Sequence, residues 1–149
     1  MARQILFVCT GNTCRSPMAE AIARSELARA GATEGAFVSS SAGVAALEDE
    51  PYNLEIVDAL RGAEAKIPHG KARRLTHEML DEAEAVYVMT AGHLASVLHM
   101  APGAAGKIRL LDPRGIDVPD PLGGGQALYS STARTMRDMI RQRVQEWLS

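Results

Sequence analysis

Four consecutive apolar residues, Ile5–Leu6–Phe7–Val8, run into Cys9 and give way at once to the polar loop Thr10–Gly11–Asn12–Thr13. An unbroken apolar run, rather than an alternating one, is what a strand buried on both faces requires, so layers must cover it on both sides. Beyond the loop, Pro17 suits the first turn of a helix. Met18 to Ala30 is rich in Ala, Glu, Arg and Leu, and Gly31 provides a C-terminal stop. A buried strand, a tight loop and a helix in this order are the opening unit of an α/β fold.

The same alternation recurs along the chain. Ala36–Phe37–Val38–Ser39–Ser40–Ser41 reads as a second strand, Ala85 to Met89 as a third and Lys107 to Leu111 as a fourth. Helical character falls on Pro51–Leu60, on a short segment with Thr76 as N-cap, on Gly92–His99 and on Gln126–Ser149. In the last of these, Leu128, Thr132, Met136, Met139, Ile140, Val144 and Trp147 form a core-facing stripe, while Arg134, Arg137, Asp138, Arg141 and Arg143 read as a solvated face. Ala101–Gly106 and the Pro/Gly-rich stretch Asp112–Gly125 read as loops. The expected architecture is α/β, a single doubly wound domain over residues 1–149, with a four-stranded parallel sheet and helices on both faces. In such sheets ligands sit beyond the carboxyl ends of the strands. The loops after the first and fourth strands share that edge.

Composition narrows the partners. The chain has 149 residues, 46% hydrophobic and 23% charged, with a net charge of −2 and no basic stripe, so neither nucleic acid nor an anionic membrane is an expected partner. The five apolar residues from Ile5 to Cys9 are too few for a signal peptide, and no run approaches a membrane span, so a cytoplasmic location is expected. Cys9 and Cys14 are too close together to staple a fold, and they lack the further ligands of a metal site. His69, His77, His93 and His99 are scattered without metal spacing and read as surface or loop residues.

The loop itself carries the chemistry. Where a tight loop joins a buried strand to a helix, its backbone N–H groups and those of the first helical turn converge without partners and form an anion site. Gly11 and Asn12 tolerate the left-handed backbone such a nest needs. Arg15 offers a planar fork matched to a phosphate. The same field favours a thiolate on Cys9, and Ser16 is placed to donate a hydrogen bond to the sulfur. The phosphate-binding set is therefore Thr10, Gly11, Asn12, Thr13, Cys14, Arg15 and Ser16, with Cys9 as nucleophile.

The run Val8–Cys9–Thr10–Gly11–Asn12–Thr13–Cys14–Arg15–Ser16–Pro17–Met18–Ala19–Glu20 resembles the signature of the low-molecular-weight protein phosphatases. Ser41–Ala42–Gly43 and Asp120–Pro121 resemble later landmarks of that family, and the resemblance spans essentially the whole chain. It implies a small doubly wound domain needing no metal or organic cofactor, phosphorylated proteins as substrates and inorganic phosphate as product. It also implies that Asn12 and Ser41 hold the loop in shape. Phosphoryl transfer to Cys9 needs an acid for the leaving group. Asp112–Pro113 and Asp120–Pro121 compete for that role. Asp112 directly follows the fourth strand and reads as a turn cap, whereas the spacing of Asp120 to the last helix fits the family pattern, so Asp120 is the expected acid. The i, i+5 spacing of Cys9 and Cys14 permits a reversible disulfide, with a buried filler role for Cys14 as the alternative.

Thr13 bears on the substrate. Tyrosine-directed members usually carry a bulky aliphatic residue there, whereas protein-arginine phosphatases of the family resemble this chain through Cys9–Ser16. A small polar Thr13 leaves room beside the scissile bond for a guanidinium-derived leaving group. Leu47 and Leu122 are the expected pocket walls, aliphatic where tyrosine-directed members favour aromatic ones that stack on the substrate ring. Leu122 departs from the Phe familiar after Asp–Pro in arginine-directed members. Phosphoarginine is favoured over phosphotyrosine. Arsenate reduction is disfavoured because no cysteine follows Cys14, and a non-catalytic phosphate-binding or redox module is disfavoured by Arg15 and Asp120.

Overall fold

In the computed structural model, which describes residues 1–149, β1 (Arg3–Cys9) lies at the centre of the sheet. It pairs in parallel with β2 (Phe37–Gly43) on one side and β3 (Ala85–Val88) on the other. β4 (Ile108–Leu110) extends the sheet beyond β3, giving the order β2-β1-β3-β4 with all strands parallel.

The apolar run of β1 is divided between two cores. Ile5 and Phe7 face one way, packing with α1 (Arg15–Arg29), α2 (Glu55–Gly62) and α5 (Gly125–Leu148). Leu6 and Val8 face the other way, toward α3 (His77–Glu82) and α4 (Ala91–Met100). Period-2 alternation of a fully apolar strand thus feeds both layers, which is why the run shows no polar gaps. Trp147 closes the larger core against Phe7 and Tyr87 and donates its indole N–H to the Tyr87 hydroxyl at 2.8 Å.

Element boundaries differ from the sequence reading where backbone partners decide them. β2 runs on to Gly43 because its register with β1 continues to Cys9. α2 begins only at Glu55, since Pro51–Tyr52–Asn53 is drawn against the loop, where Asn53 N–H donates to the Thr13 carbonyl at 2.9 Å. Pro102–Lys107 is a 3₁₀ helix rather than a loop. Thr76 does cap α3, accepting from the Met79 N–H at 3.2 Å.

Two side chains on α5 depart from their expected faces. Leu128 is exposed. Arg143 is buried: its Nη2 and Nε donate to the Leu110 and Leu111 carbonyls at 2.8 and 3.1 Å, and its guanidinium stacks on Tyr87. β4 is an edge strand, and the arginine satisfies carbonyls that no further strand pairs. No helix is long and apolar enough to cross a membrane.

The strand order reverses at β1. The chain leaves β1 for β2, then crosses back to β3 on the other side, so the loops after β1 and β3 diverge and leave a crevice. That crevice holds the Cys9–Ser16 loop.

Candidate active site

Cys9 ends β1 and Arg15 begins α1, so the loop between them is strapped to two rigid elements. None of the backbone N–H groups from Thr10 to Cys14 donates to a backbone carbonyl. The N-cap of α1, Cys14, makes no side-chain capping bond. A helix start with unspent amides and a concave loop in front of it is a site for an anion.

Asn12 holds the loop's curvature. Its φ is 54°, the left-handed region that asparagine tolerates better than most residues. Its Nδ2 donates to Ser16 Oγ at 2.8 Å and to Ser41 Oγ at 2.9 Å, while its Oδ1 accepts from the Arg73 N–H at 2.8 Å. Ser41 in turn donates to Glu20 Oε1 at 2.7 Å. The amide is fully buried with all these partners in place, so the loop shape is over-determined by polar groups from α1, β2 and the Arg73 segment.

Gly43 completes the fit. A Cβ there would stand 2.9 Å from the Asn12 nitrogen and closer still to the Thr10 carbonyl oxygen, and backbone cannot rotate aside. Gly43→Ala is expected to lower stability by about 1–3 kcal/mol, as overpacking does. Urea unfolding midpoints measure that loss, and calorimetry with inorganic phosphate should show weakened binding. Unchanged values for both would mean that the loop is soft.

The two cysteines differ sharply. Cys9 Sγ lies 2.8 Å from Ser16 Oγ. That hydroxyl accepts from Asn12, and its alternative acceptor, the Ala42 carbonyl, is 3.5 Å away, so its proton goes to the sulfur. Burial raises the Cys14 pKa to about 12, aided by Asp120 and Cys9 and opposed by Arg15, so Cys14 stays a thiol at neutral pH. Both cysteines are free.

Arg15 is buried, with Nη1 donating to the Val118 carbonyl at 2.9 Å and Nη2 3.7 Å from Asp120 Oδ2. Asp120 is half-exposed, accepts from the Leu122 N–H at 3.1 Å, and lines the same cavity as Cys9 and Arg15. Asp112 is fully buried and does not line that cavity. Burial alone would raise its pKa, but hydrogen bonds from the Arg114 backbone and side chain outweigh this and hold it below the ordinary carboxylate value. Asp112 is thus the cap of a turn, and Asp120 is the carboxyl group at the site.

The cavity, about 180 Å³, is walled by Cys9, Thr10, Gly11, Thr13, Cys14, Arg15, Asn53, Asp120 and Leu122. Leu47 is not among its walls and is exposed, which corrects its expected place. Asn53 stands there instead, because its backbone is tied to Thr13 and its Nδ2 donates to the Tyr129 hydroxyl at 3.0 Å. A larger groove of about 420 Å³ lies between α1 and the edge strand β2, near Arg24, Phe37 and Lys66, but it contains no nucleophile.

His93 is a second correction. It is buried rather than superficial, with Nε2 2.7 Å from Thr10 Oγ1. Its position was findable: a titratable residue in the first turn of the helix after β3 falls at the edge where the strand order reverses. Asn53 and Arg73 had no such local signal.

Comparison with known proteins agrees with this geometry. The family model described as low molecular weight phosphotyrosine protein phosphatase matches residues 4–149. A protein-arginine-phosphatase of Bacillus subtilis strain 168 is 35% identical over 143 residues, covering 93% of this chain and 92% of the relative. A low-molecular-weight protein-tyrosine-phosphatase of Streptomyces coelicolor is 34% identical, covering 85% and 82%. Among solved structures, the YwlE arginine phosphatase, as a Cys-to-Ser mutant with a phosphorylated active-site serine, superposes with a TM-score of 0.90 at 31% identity, covering 98% of this chain and 96% of that one. With the loop, the strand order and the match along the chain in agreement, the protein belongs to the low-molecular-weight protein phosphatase family.

Proposed function

We propose that this protein hydrolyses phosphoarginine side chains in proteins through a phosphocysteine on Cys9. The observation that carries the chemistry is the Cys9 sulfur, which reacts as the thiolate, bonded by Ser16 at the floor of a cavity lined by unspent amides, Arg15 and Asp120. Cys9 sulfur attacks phosphorus, and the bond from phosphorus to the leaving group breaks. The loop amides and Arg15 hold the phosphoryl oxygens as their charge redistributes, and this positioning and electrostatic support supplies most of the rate. Asp120 gives its proton to the departing nitrogen of arginine. In the second step it takes a proton from the water that attacks the phosphocysteine, releasing inorganic phosphate and the Cys9 thiolate, whose departure the Ser16 hydrogen bond assists.

Thr13 supports arginine as the substrate, because it lines the cavity with a small polar side chain where a larger aliphatic group would fill space beside the scissile bond. Thr13→Ile is expected to shift the ratio of kcat/KM values by roughly 10-fold or more toward phosphotyrosine, in line with the discrimination one methyl-sized change brings. Side-by-side assays on phosphoarginine and phosphotyrosine peptides measure it, and an unchanged ratio would remove Thr13 as the determinant. Phosphotyrosine is the second reading, supported by the similarity to the protein-tyrosine-phosphatase of Streptomyces coelicolor.

Cys14 supports a redox role. Peroxide oxidation of Cys9 to a sulfenic acid, followed by attack of the Cys14 sulfur with loss of water, would give a reversible disulfide. The raised Cys14 pKa makes that step slow. Two free cysteines, one of them the nucleophile, suit a reducing compartment, and we place the protein in the cytoplasm.

A further inference from the structure

His93 sits in the first turn of α4, three residues after the N-cap Thr90, which accepts its backbone N–H at 3.2 Å. From there its ring spans the crevice to the loop that follows β1, where Nε2 meets Thr10 Oγ1. The residue is 6% exposed, and Nδ1 is buried with no hydrogen-bond partner. The charged groups that act on it are Arg15 of α1 and, from the segment before α5, Asp117 and Asp120. Burial and then Arg15 lower its pKa to about 4 against the opposing pull of the two carboxylates, so the imidazole is neutral near pH 7.

A neutral imidazole has one N–H to place. On Nδ1 that proton would be a buried donor with no acceptor, the rarest and costliest kind of unpaired polar group. On Nε2 it is used at once, by Thr10 Oγ1. The tautomer is therefore Nε2–H, and the threonine oxygen is the acceptor. The Thr10 hydroxyl has no other protein partner, so its own proton is left over. Thr10 follows the nucleophile directly and lines the cavity with it.

We propose that the Thr10 hydroxyl is a further donor to the phosphoryl group, and that His93 is the positioning residue that frees its proton for that bond. The proposal rests on reading the cavity as the site of phosphoryl transfer. The loop amides and Arg15 are directional but fixed, whereas a hydroxyl whose lone pair is already engaged turns its proton to whichever phosphoryl oxygen gains charge. Because the bond strengthens as charge builds, its loss should fall on kcat more than on KM.

The test uses the full chain and para-nitrophenyl phosphate, with Thr10→Val, His93→Ala, the double variant and His93→Gln. Thr10→Val and His93→Ala should each lower kcat roughly 10²-fold with KM little changed, as removal of one transition-state donor does. The double variant should be no slower than the slower single. His93→Gln, whose amide N–H keeps a donor for Thr10, should recover most of the rate. Long-range ¹H–¹⁵N spectra should show a protonated Nε2 and a bare Nδ1. Additive losses, wild-type kcat in Thr10→Val, or a proton on Nδ1 would each overturn the proposal. If His93→Ala unfolds in urea far below wild type, Thr10→Val decides alone, since it only exchanges a surface hydroxyl for a methyl. A wild-type chain inert toward the aryl phosphate would overturn the phosphatase reading itself, with the tautomer still read from the spectra.

Discussion

Replacing Cys9 by serine is expected to lower kcat/KM for every phosphorylated substrate by at least ~10³-fold while binding of inorganic phosphate survives. A serine hydroxyl holds its proton at neutral pH, and no histidine or carboxylate touches the Cys9 sulfur to remove it. The contact at that atom is Ser16, which donates rather than accepts. The affinity persists because the anion is bound by the loop amides and Arg15, none of which the exchange disturbs. Steady-state assays on para-nitrophenyl phosphate and on a phosphoarginine peptide, with phosphate affinity by calorimetry, measure both halves. Turnover at the wild-type rate in this variant would sink the nucleophile assignment.

Asp120→Ala should slow the first chemical step ~10²–10⁴-fold for substrates with poor leaving groups, and far less for activated aryl phosphates, which depart without a proton. Asp120 has a second role to separate from the first, because its carboxylate pairs with Arg15 at 3.7 Å. The pair is half-exposed on the Asp120 side, so its own contribution is small. Single-turnover rates across a series of leaving groups tell the roles apart. A steeper dependence on leaving-group basicity marks lost proton donation, whereas equal losses on all substrates would show that Asp120 acts by holding Arg15.

Most of the architecture was legible because β1 has to satisfy two cores at once. A strand buried on both faces leaves an unbroken apolar run, as Ile5 to Val8 does, and the alternation of strands with helices then restricts the topology to a parallel sheet with crossovers. The shape of the Cys9–Ser16 loop was equally legible. Its unspent amides and adjacent side chains are set by local sequence: Gly11 and Asn12 for curvature, Pro17 for the helix start, Cys9 and Arg15 at its ends.

What stayed hidden were the contacts between distant segments that carry no motif of their own. Arg143 looks like its solvated neighbours on α5 until the edge of β4 supplies two carbonyls for it. Leu47 and Asn53 stand six residues apart, and only the bond from Asn53 N–H to Thr13 brings the second, rather than the first, to the cavity wall. His93 lies 83 positions from Thr10, and no periodicity links them.

The family's signature loop and the parallel sheet could thus be read from residues within a few positions of one another, since bond geometry and burial pattern act at that range. The walls of the cavity and the histidine beside Thr10 depend on which loops meet at the reversal between β1 and β3. Those meetings arise when the two faces of the sheet are buried together, and side chains far apart in the chain become neighbours only in that packed state.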